Sequence, residues 1–207
     1  MSKFNLNLFI LAFLVMTTVS GYAQDAAPTV EGTAMSQEEM AMQKRMMEYS
    51  TVNENHALLN SLAGSWNTHA SFWMDPKGPA QESDGTSQNA IIMGGRFLEQ
   101  KFSGSMMGQP FEGRGIFGYD NFRKEYTGIW FDNFATGMMV SASQYNTTTK
   151  TFIEEGTMSC PISEEAHRWF RAVTTVVDDN HYTYESYMKD KDGQEFKAMR
   201  IEYTRAQ

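Results

Sequence analysis

The stretch from Ile91 to Gly137 constrains the fold more than any other part of the chain. Short apolar runs alternate with glycines in Met93-Gly-Gly-Arg-Phe-Leu-Glu-Gln, Phe111-Glu-Gly-Arg-Gly-Ile-Phe-Gly-Tyr-Asp and Tyr126-Thr-Gly-Ile-Trp-Phe-Asp. A glycine lets a strand bend sharply, and it lets a bulky ring nearby lie over its bare backbone. The stretch therefore predicts three or four strands of a curved sheet.

The rest of the chain from Ser65 to Arg205 continues this pattern, and about ten strands are predicted in all. Turn residues separate them, as in Pro76-Lys-Gly-Pro, Asp178-Asp-Asn and Asp190-Lys-Asp-Gly. No intervening helix is long enough for a parallel crossover. We therefore predict an all-β fold, an antiparallel up-and-down β-barrel. Several strands have no cleanly apolar face, which favours a wide barrel with a lumen, although an irregular sandwich would look similar.

The N-terminus predicts a secretory signal peptide over residues 1–23. Lys3 precedes an apolar run from Leu6 to Val19, and small residues follow at Gly21-Tyr-Ala. The alternative is a membrane anchor, but the run is shorter than the roughly 20 residues that span a bilayer. We expect cleavage before Gln24, export to the periplasm or the medium, and no stable membrane insertion afterwards.

Residues 24–52 are predicted to form a linker and a methionine-rich amphipathic helix. A capping box at Ser36-Gln-Glu-Glu opens the helix, and Met40, Met42, Met46 and Met47 lie within it. We expect this helix to pack outside the barrel or across one mouth. A second short helix is predicted from Glu54 to Leu62. The barrel domain itself is assigned to residues 53–207.

Composition excludes some functions. The 207-residue chain has a net charge of −8, which disfavours nucleic-acid binding. Cys160 is the only cysteine, so no intramolecular disulfide forms, and its local sequence offers no basic neighbour to activate the thiol. Sixteen methionines suggest copper, but no histidine lies within the methionine groups, which favours apolar filling. We predict no cofactor and no metal site.

Several motifs carry a resemblance to known families. Gly64-Ser-Trp after a short helix resembles the opening of calycin barrels, that is, lipocalins and fatty-acid-binding proteins. The runs starting at Met93, Pro110 (Pro-Phe-Glu-Gly) and Gly118 (Gly-Tyr-Asp-Asn) resemble the bacterial domain of unknown function 1579 family. Further matches are Trp130-Phe-Asp, Thr136-Gly, Asp192-Gly-Gln-Glu-Phe-Lys and Glu202-Tyr-Thr-Arg. The resemblance, from about Leu58 to Arg205, implies a lipocalin-like barrel and carries no catalytic residues.

The last strand departs from the fatty-acid-binding proteins. Those proteins hold the lipid carboxylate with an Arg-x-Tyr pair, whereas Arg200 and Tyr203 are three residues apart and face opposite sides of a strand. Tyr203 and Arg205 share a face, but in the reverse order. The sequence therefore predicts no fatty-acid carboxylate site.

A small-molecule site is the best candidate that the sequence offers. Trp130 and Asp132 share one face of a strand, Tyr119 comes from the neighbouring strand, and Arg96 begins the strand after a double-glycine turn. If they converge in the lumen, they form an aromatic wall with one positive and one negative group. The alternative is that Arg96 and Asp132 make ion pairs at the rim while the two rings fill the core.

Three functions follow from these features. The first is an exported protein that binds a small apolar or aromatic molecule in the barrel. The second is a hydrolase or isomerase that uses a lumenal carboxylate, Asp132 or Glu99, as its base, although no catalytic motif is present. The third is an interaction protein that binds a partner through its methionine-rich helix.

Overall fold

The computed structural model describes residues 35–207, so the predicted signal peptide and most of the predicted linker lie outside the described residues. Two helices precede the strands. Helix α1 spans Gln37–Ser50 and helix α2 spans Glu54–Leu58, followed by a 3-10 turn over Leu59–Leu62. Asn53 caps α2, since its side chain accepts from the Asn55 backbone N–H at 3.0 Å.

Ten antiparallel strands form a closed barrel in which each strand pairs with its sequence neighbours and β1 pairs with β10. The predicted strand number and topology are confirmed. The strands are β1 (Gly64–Phe72), β2 (Gln81–Ile92), β3 (Phe97–Met106), β4 (Gln109–Asp120), β5 (Glu125–Asp132), β6 (Met139–Asn146), β7 (Thr151–Cys160), β8 (Glu165–Asp178), β9 (His181–Lys189) and β10 (Glu195–Arg205).

The turn between β2 and β3 shows why the double glycine was informative. Met93, Gly94 and Gly95 all have positive φ angles, at 51°, 65° and 92°, and the Arg96 N–H donates to the Ile92 carbonyl at 3.2 Å. A left-handed backbone costs glycine little, so two glycines in a row allow this reversal. The turn spans four residues, 93–96, and is longer than the two-residue hairpin that Gly94-Gly95 alone suggested.

Glycines also make room for aromatic rings on the strands, as the sequence predicted. The Trp130 ring lies against Gly113 and Gly115, and the Phe117 ring lies against Gly115 and Gly128. The register explains the match, because Gly115 pairs with Trp130 and Gly128 pairs with Phe117 across the β4–β5 ladder. The bare backbone of one strand thus receives the ring of the next.

The apolar core is concentrated where the chain enters the barrel. One cluster contains Trp66, Tyr182, Tyr203 and their neighbours Ala70 and Ile201. Trp66 is 1% exposed, and its indole N–H donates to the Leu62 carbonyl at 3.0 Å. The second cluster places Leu59 of the 3-10 turn against Leu98, Tyr126 and Phe152. The segment from Glu54 to Leu62, which contains α2 and the 3-10 turn, therefore covers this end of the barrel.

Helix α1 differs from the expected packing against the barrel. None of its residues is buried, and Met40, Met42, Met46 and Met47 are each at least half exposed. The contacts that hold it come from its last turn. Asn121 Nδ2 donates to the carbonyls of Glu48, Tyr49 and Thr51 at 2.7–3.1 Å.

Candidate functional site

The two ends of the barrel differ. At the closed end, the Tyr126 hydroxyl donates to the Asn55 carbonyl of α2 at 2.9 Å, and the ring of His56 lies 5.7 Å from that of Tyr119. Burial, followed by the charge of Arg96, lowers the pKa of His56, while a hydrogen bond with the Tyr119 backbone raises it. The imidazole therefore acts as a neutral part of this closure.

At the opposite end, most inward-facing side chains are half-buried. Strand pairing places Phe72 beside Met199, Phe102 beside Gly113, and Arg168 beside Met158. The half-buried inward side chains at this end are aromatic or methionine in the main: Phe72, Phe102, Met106, Trp130, Met139, Met158, Met188, Phe196 and Met199. This end is an apolar and adaptable mouth, because methionine side chains repack easily.

Trp130 and Asp132 lie together in this mouth, on the inner face of β5. The Trp130 indole N–H donates to Asp132 Oδ2 at 3.1 Å, and Asp132 Oδ1 accepts the Phe134 N–H at 3.0 Å. Both side chains are half-buried. The aromatic wall beside a carboxylate, which the spacing of two residues suggested, is therefore present.

The other two candidates lie elsewhere. Tyr119 also faces inward, but at the closed end, where its ring lies 4.9 Å from that of Tyr126. Arg96 is exposed on the β2–β3 turn, and its guanidinium donates to the carbonyls of Ser50 at 2.8 Å and Met93 at 3.1 Å. The structure thus brings Trp130 and Asp132 together, and it brings neither Arg96 nor Tyr119 to them. A role for any of the four in binding a ligand stays a prediction.

Glu154 is an inward-facing carboxyl that the sequence analysis did not select. It pairs with Ser143 on β6 and with Ala172 on β8, and both neighbours are too small to cover it. Burial raises the pKa of Glu154, and a hydrogen bond from Ser141 only partly opposes this effect. Burial, followed by the charge of Glu154, also raises the pKa of the inward-facing Tyr184. A carboxyl and a phenol thus share the middle of the lumen.

A chain of hydrogen bonds crosses the lumen from β2 to β10. Asn89 Nδ2 donates to the Leu62 carbonyl at 2.8 Å and to the Tyr182 hydroxyl at 3.1 Å, and Ser87 donates to Asn89 Oδ1 at 2.7 Å. Gln100 Nε2 then donates to Ser87 and to the Tyr203 hydroxyl, both at 3.3 Å. The Tyr182 and Tyr203 rings stack with their centroids 4.0 Å apart. These groups keep the barrel interior polar at mid-height.

Cys160 has a basic neighbour that its local sequence does not show. Arg168, from the start of β8, donates to the Cys160 sulfur at 3.2 Å and to the Ser163 hydroxyl at 3.1 Å. Burial raises the pKa of the Cys160 thiol, but hydrogen bonds from Ser163, Arg168 and the Ile162 backbone outweigh burial and lower the pKa to about 7. The local sequence does not reveal this donor, because Arg168 reaches Cys160 from the neighbouring strand β8.

Both arginines at the end of β10 are bound to other protein groups. Arg200 points outward and binds the carboxylates of Glu185 at 2.6 Å and Glu202 at 2.8 Å. Arg205 stacks 4.2 Å over the Trp66 ring and donates to the carbonyls of Ala63 and Asp179. Neither guanidinium is available to a carboxylate in the lumen.

Within residues 35–207, no group of three or more histidine, cysteine or acidic side chains is placed to hold a metal ion. In the same residues, no helix has the length and apolar character needed to cross a membrane.

The described residues thus form a closed antiparallel barrel with one covered end and polar groups in its interior. The chain belongs to the family described as "Protein of unknown function (DUF1579)", whose model matches residues 51–205. This match confirms the resemblance that the Met93 to Asp132 motifs indicated.

Two solved structures share the fold. Rv2717c from M. tuberculosis aligns with a TM-score of 0.56 and 13% identity, over 76% of this chain and 100% of its own. The S-type phycobiliprotein lyase CPES from Guillardia theta aligns with a TM-score of 0.54 and 10% identity, over 78% of this chain and 97% of its own. No curated protein matches.

Proposed function

We propose that the protein binds a small, largely apolar or aromatic molecule in the barrel lumen. This molecule enters the lumen through the methionine-lined mouth. The observation that supports this proposal best is the half-burial of inward-facing side chains at mid-height. Gln100, Glu154 and Tyr184 all point towards the barrel axis, yet none is fully buried. Because the closed sheet shields them from outside, the surface that they retain faces the lumen.

The chemistry of the lining suits such a ligand. Aromatic and thioether groups at the mouth provide apolar contact area that depends little on how the ligand is oriented. A few polar groups deeper inside then fix the orientation of the ligand. Trp130 beside Asp132 offers a ring face next to an acceptor. The similar fold of a phycobiliprotein lyase supports a barrel of this kind but does not identify the ligand.

Protein purified from its own host tests this proposal. Native mass spectrometry should detect a co-purifying molecule in the wild type and in Ser103→Phe, whose side chain lies on the exposed outer face of β3. The matched variant Ser143→Phe places the same ring in the lumen beside Glu154 and should lose the molecule. Repeated preparations without any bound molecule, or equal occupancy in both variants, would contradict the proposal.

The second candidate is a hydrolase or isomerase with a lumenal carboxylate. Its support is Glu154, an inward-facing carboxyl whose pKa is raised by burial, because such a carboxyl can hold a proton and donate it to a substrate. Asp132 also faces inward, whereas Glu99 lies on the outer face and pairs with Lys101 at 3.0 Å. In a substrate-panel screen, activity should fall in Glu154→Gln or Asp132→Asn and persist in Glu99→Gln. Equal turnover in all three variants would remove this candidate.

The third candidate is a partner-binding protein that uses α1. A 14-residue helix is marginal in water without a packed face, and none of the residues of α1 is buried. Its exposed methionines would provide the contact surface. Deletion of residues 36–49 should abolish partner capture from the host extract, and an unchanged set of partners would rule out this role.

We also propose export, with cleavage before Gln24. The support is the sequence of residues 1–23 alone. Intact-mass measurement of protein from the periplasmic fraction or the medium should give a chain that begins at Gln24, and a chain that keeps Met1 to Ala23 in the cytosol would contradict export.

A further inference from the structure

His69 lies at the seam of the barrel, the β1–β10 ladder that joins the first strand to the last. It is exposed on the outer face of β1. In the strand register it pairs with Glu202 of β10 on one side and with Asp84 of β2 on the other. Contacts of the His69 side chain can therefore hold or loosen the closure of the barrel.

Both ring nitrogens of His69 contact carboxylates. Nδ1 lies 2.8 Å from Asp84 Oδ1, and Nε2 lies 3.0 Å from Glu82 Oε2. The Ser71 hydroxyl donates to the same Glu82 oxygen at 2.8 Å. Glu82 and Asp84 are two residues apart on β2 and so share its outer face. The imidazole thus bridges two acids of the neighbouring strand.

This arrangement needs two N–H donors on the ring. A neutral imidazole has one N–H and one lone pair, so one of the two carboxylates would face a lone pair, whereas the imidazolium ion donates at both nitrogens. The hydrogen bond with Asp84 has the largest effect and raises the pKa of His69. Burial lowers this pKa, and the charges of Asp84, Glu82 and Glu202 raise it further, so that it lies above its ordinary value. The contacts and the titration therefore both favour the charged ring.

The strands on either side supply the remaining groups around His69. Besides the two acids of β2, β10 contributes Glu202 and the basic Arg200, which binds Glu202 at 2.8 Å. The outer face of the next strands presents Ser103 of β3 and Thr183 of β9, neither of which titrates. His69 is consequently the titrating group that can change the charge of this surface near neutral pH.

Loss of the proton leaves the acids of this surface facing one another. Within residues 35–207, the ion pairs of Glu82 and Asp84 are both made with His69. When the imidazole is neutral, these two acids and Glu202 are negative charges on strands that flank β1, and like charges that face each other across a sheet are destabilising. The side chains are half exposed or more, so solvent and salt keep the effect modest.

We propose that His69 is a proton-dependent clamp, whose charged ring ties β2 and β10 to β1 and whose neutral ring lets the seam open more often. Its contribution is fully present below the unfolded-state pKa of about 6.5 and is lost as pH rises through the higher folded-state pKa. Phe72 and Met199 of the mouth pair in the same ladder, three residues from His69 and from Glu202, so the clamp acts on the wall of the mouth. The proposal goes beyond ligand binding and does not depend on it.

NMR titration tests the charge of the ring. Two-bond 1H–15N spectra distinguish the imidazolium from either neutral tautomer, and His69→Gln assigns the resonance. His69 should stay doubly protonated to a higher pH in the wild type than in the double variant Glu82→Gln/Asp84→Asn. Glu155→Gln, which removes an acid from the outer face of β7, should titrate like the wild type. Equal midpoints in the wild type and the double variant would overturn the clamp.

Hydrogen exchange tests the seam. At pH 5.5, amides of β1 and β10 should exchange about 1.4-fold to fivefold faster in His69→Gln than in the wild type, and those of β4 to β7 should not change. The difference should shrink in 1 M salt and disappear above the titration midpoint of the wild type. Equal exchange of the seam in both proteins at pH 5.5 would overturn the clamp. A uniform acceleration over all ten strands would also overturn it, because His69 would then stabilise the whole barrel and not the seam.

Discussion

The indole ring of Trp130 occupies the space that a Cβ atom at Gly113 would need. An added Cβ would lie 2.7 Å from Trp130 Cη2 and 3.0 Å from Cε2, and the neighbouring strand holds the ring in place. The same ring donates its N–H to Asp132. The glycine therefore sets the position of the aromatic wall in the mouth, and a residue without a side chain shapes the candidate site.

Gly113→Ala should displace Trp130 and destabilise the protein. Overpacking of this kind costs about 1–3 kcal/mol, and urea denaturation followed by circular dichroism will measure it. Gly137→Ala is the matched control, since its nearest neighbour, Ser159 Oγ, would lie 3.6 Å from the new Cβ. Equal stability of the two variants would show that the ring adjusts without cost.

Asn121→Ala should release α1 from the barrel. The variant loses the hydrogen bonds to the carbonyls of Glu48, Tyr49 and Thr51, and the one that Asn53 Nδ2 donates to Oδ1 at 2.6 Å. Loss of a buried group of this kind costs about 1–3 kcal/mol. Hydrogen exchange should accelerate over residues 37–50 and stay unchanged in the strands, and the outer-face variant Asn67→Ala should exchange like the wild type. Unchanged protection of α1 in Asn121→Ala would show that other contacts hold the helix.

Glu154→Gln should change how stability depends on pH. Burial raises the folded-state pKa of Glu154, so the folded protein keeps a proton that the unfolded chain loses above about pH 4.3. Stability from this group is therefore present at low pH and is lost as pH rises towards the folded-state pKa. The loss amounts to about 1.4 kcal/mol for each pKa unit of the difference.

Urea midpoints measured from pH 4 to pH 8 will test this expectation. The stability of Glu154→Gln relative to the wild type should increase as pH rises. Glu155 lies on the outer face of the same strand, so the urea midpoints of Glu155→Gln should follow a pH profile parallel to that of the wild type. Parallel profiles for Glu154→Gln and the wild type would contradict a buried, proton-binding carboxyl.

Cys160 should react with iodoacetamide at neutral pH. With a pKa of about 7, the thiol is half ionised there, and the rate should level off above pH 8. Hydrogen bonds from Ser163 lower the pKa most and Arg168 adds to them, so Arg168→Gln, which removes the donor at 3.2 Å, should raise the pKa of the thiol and slow alkylation at pH 7 by roughly twofold to tenfold. Arg171→Gln, which removes an arginine paired with Glu195 on the outer face, should react like the wild type. A half-maximal rate near pH 8.5 in the wild type would show that Arg168 does not activate the thiol.

The number of strands, their order and the place of each turn could be predicted because these depend on local chemistry. Apolar and polar residues alternate within a strand, and glycine or aspartate marks a turn. Both signals involve residues only a few positions apart. Glycines beside aromatics on one strand indicated that rings would lie over bare backbone, and the register then placed the Trp130 ring over Gly115 of the neighbouring strand. Trp130 and Asp132 came together because residues two apart on a strand must share a face.

Other parts of the site were decided only by the tertiary structure. The two faces of β7 are equally polar by sequence. Each carries one acid, so the pattern does not say which face points inward; the faces are Phe152, Glu154 and Gly156 on one side and Ile153, Glu155 and Thr157 on the other. Closure of the barrel decides this, because pairing with Ser143 and Ala172 turns Glu154 towards the axis. Two further contacts likewise depend on segments that meet only after folding. One joins Cys160 to Arg168, and the other attaches Arg96 to α1, away from the lumen. The sequence by itself determined the strands and their antiparallel order, since periodicity is local. Closure between β1 and β10 and the chemistry of the interior depend on strand register, which is set by pairing between distant residues.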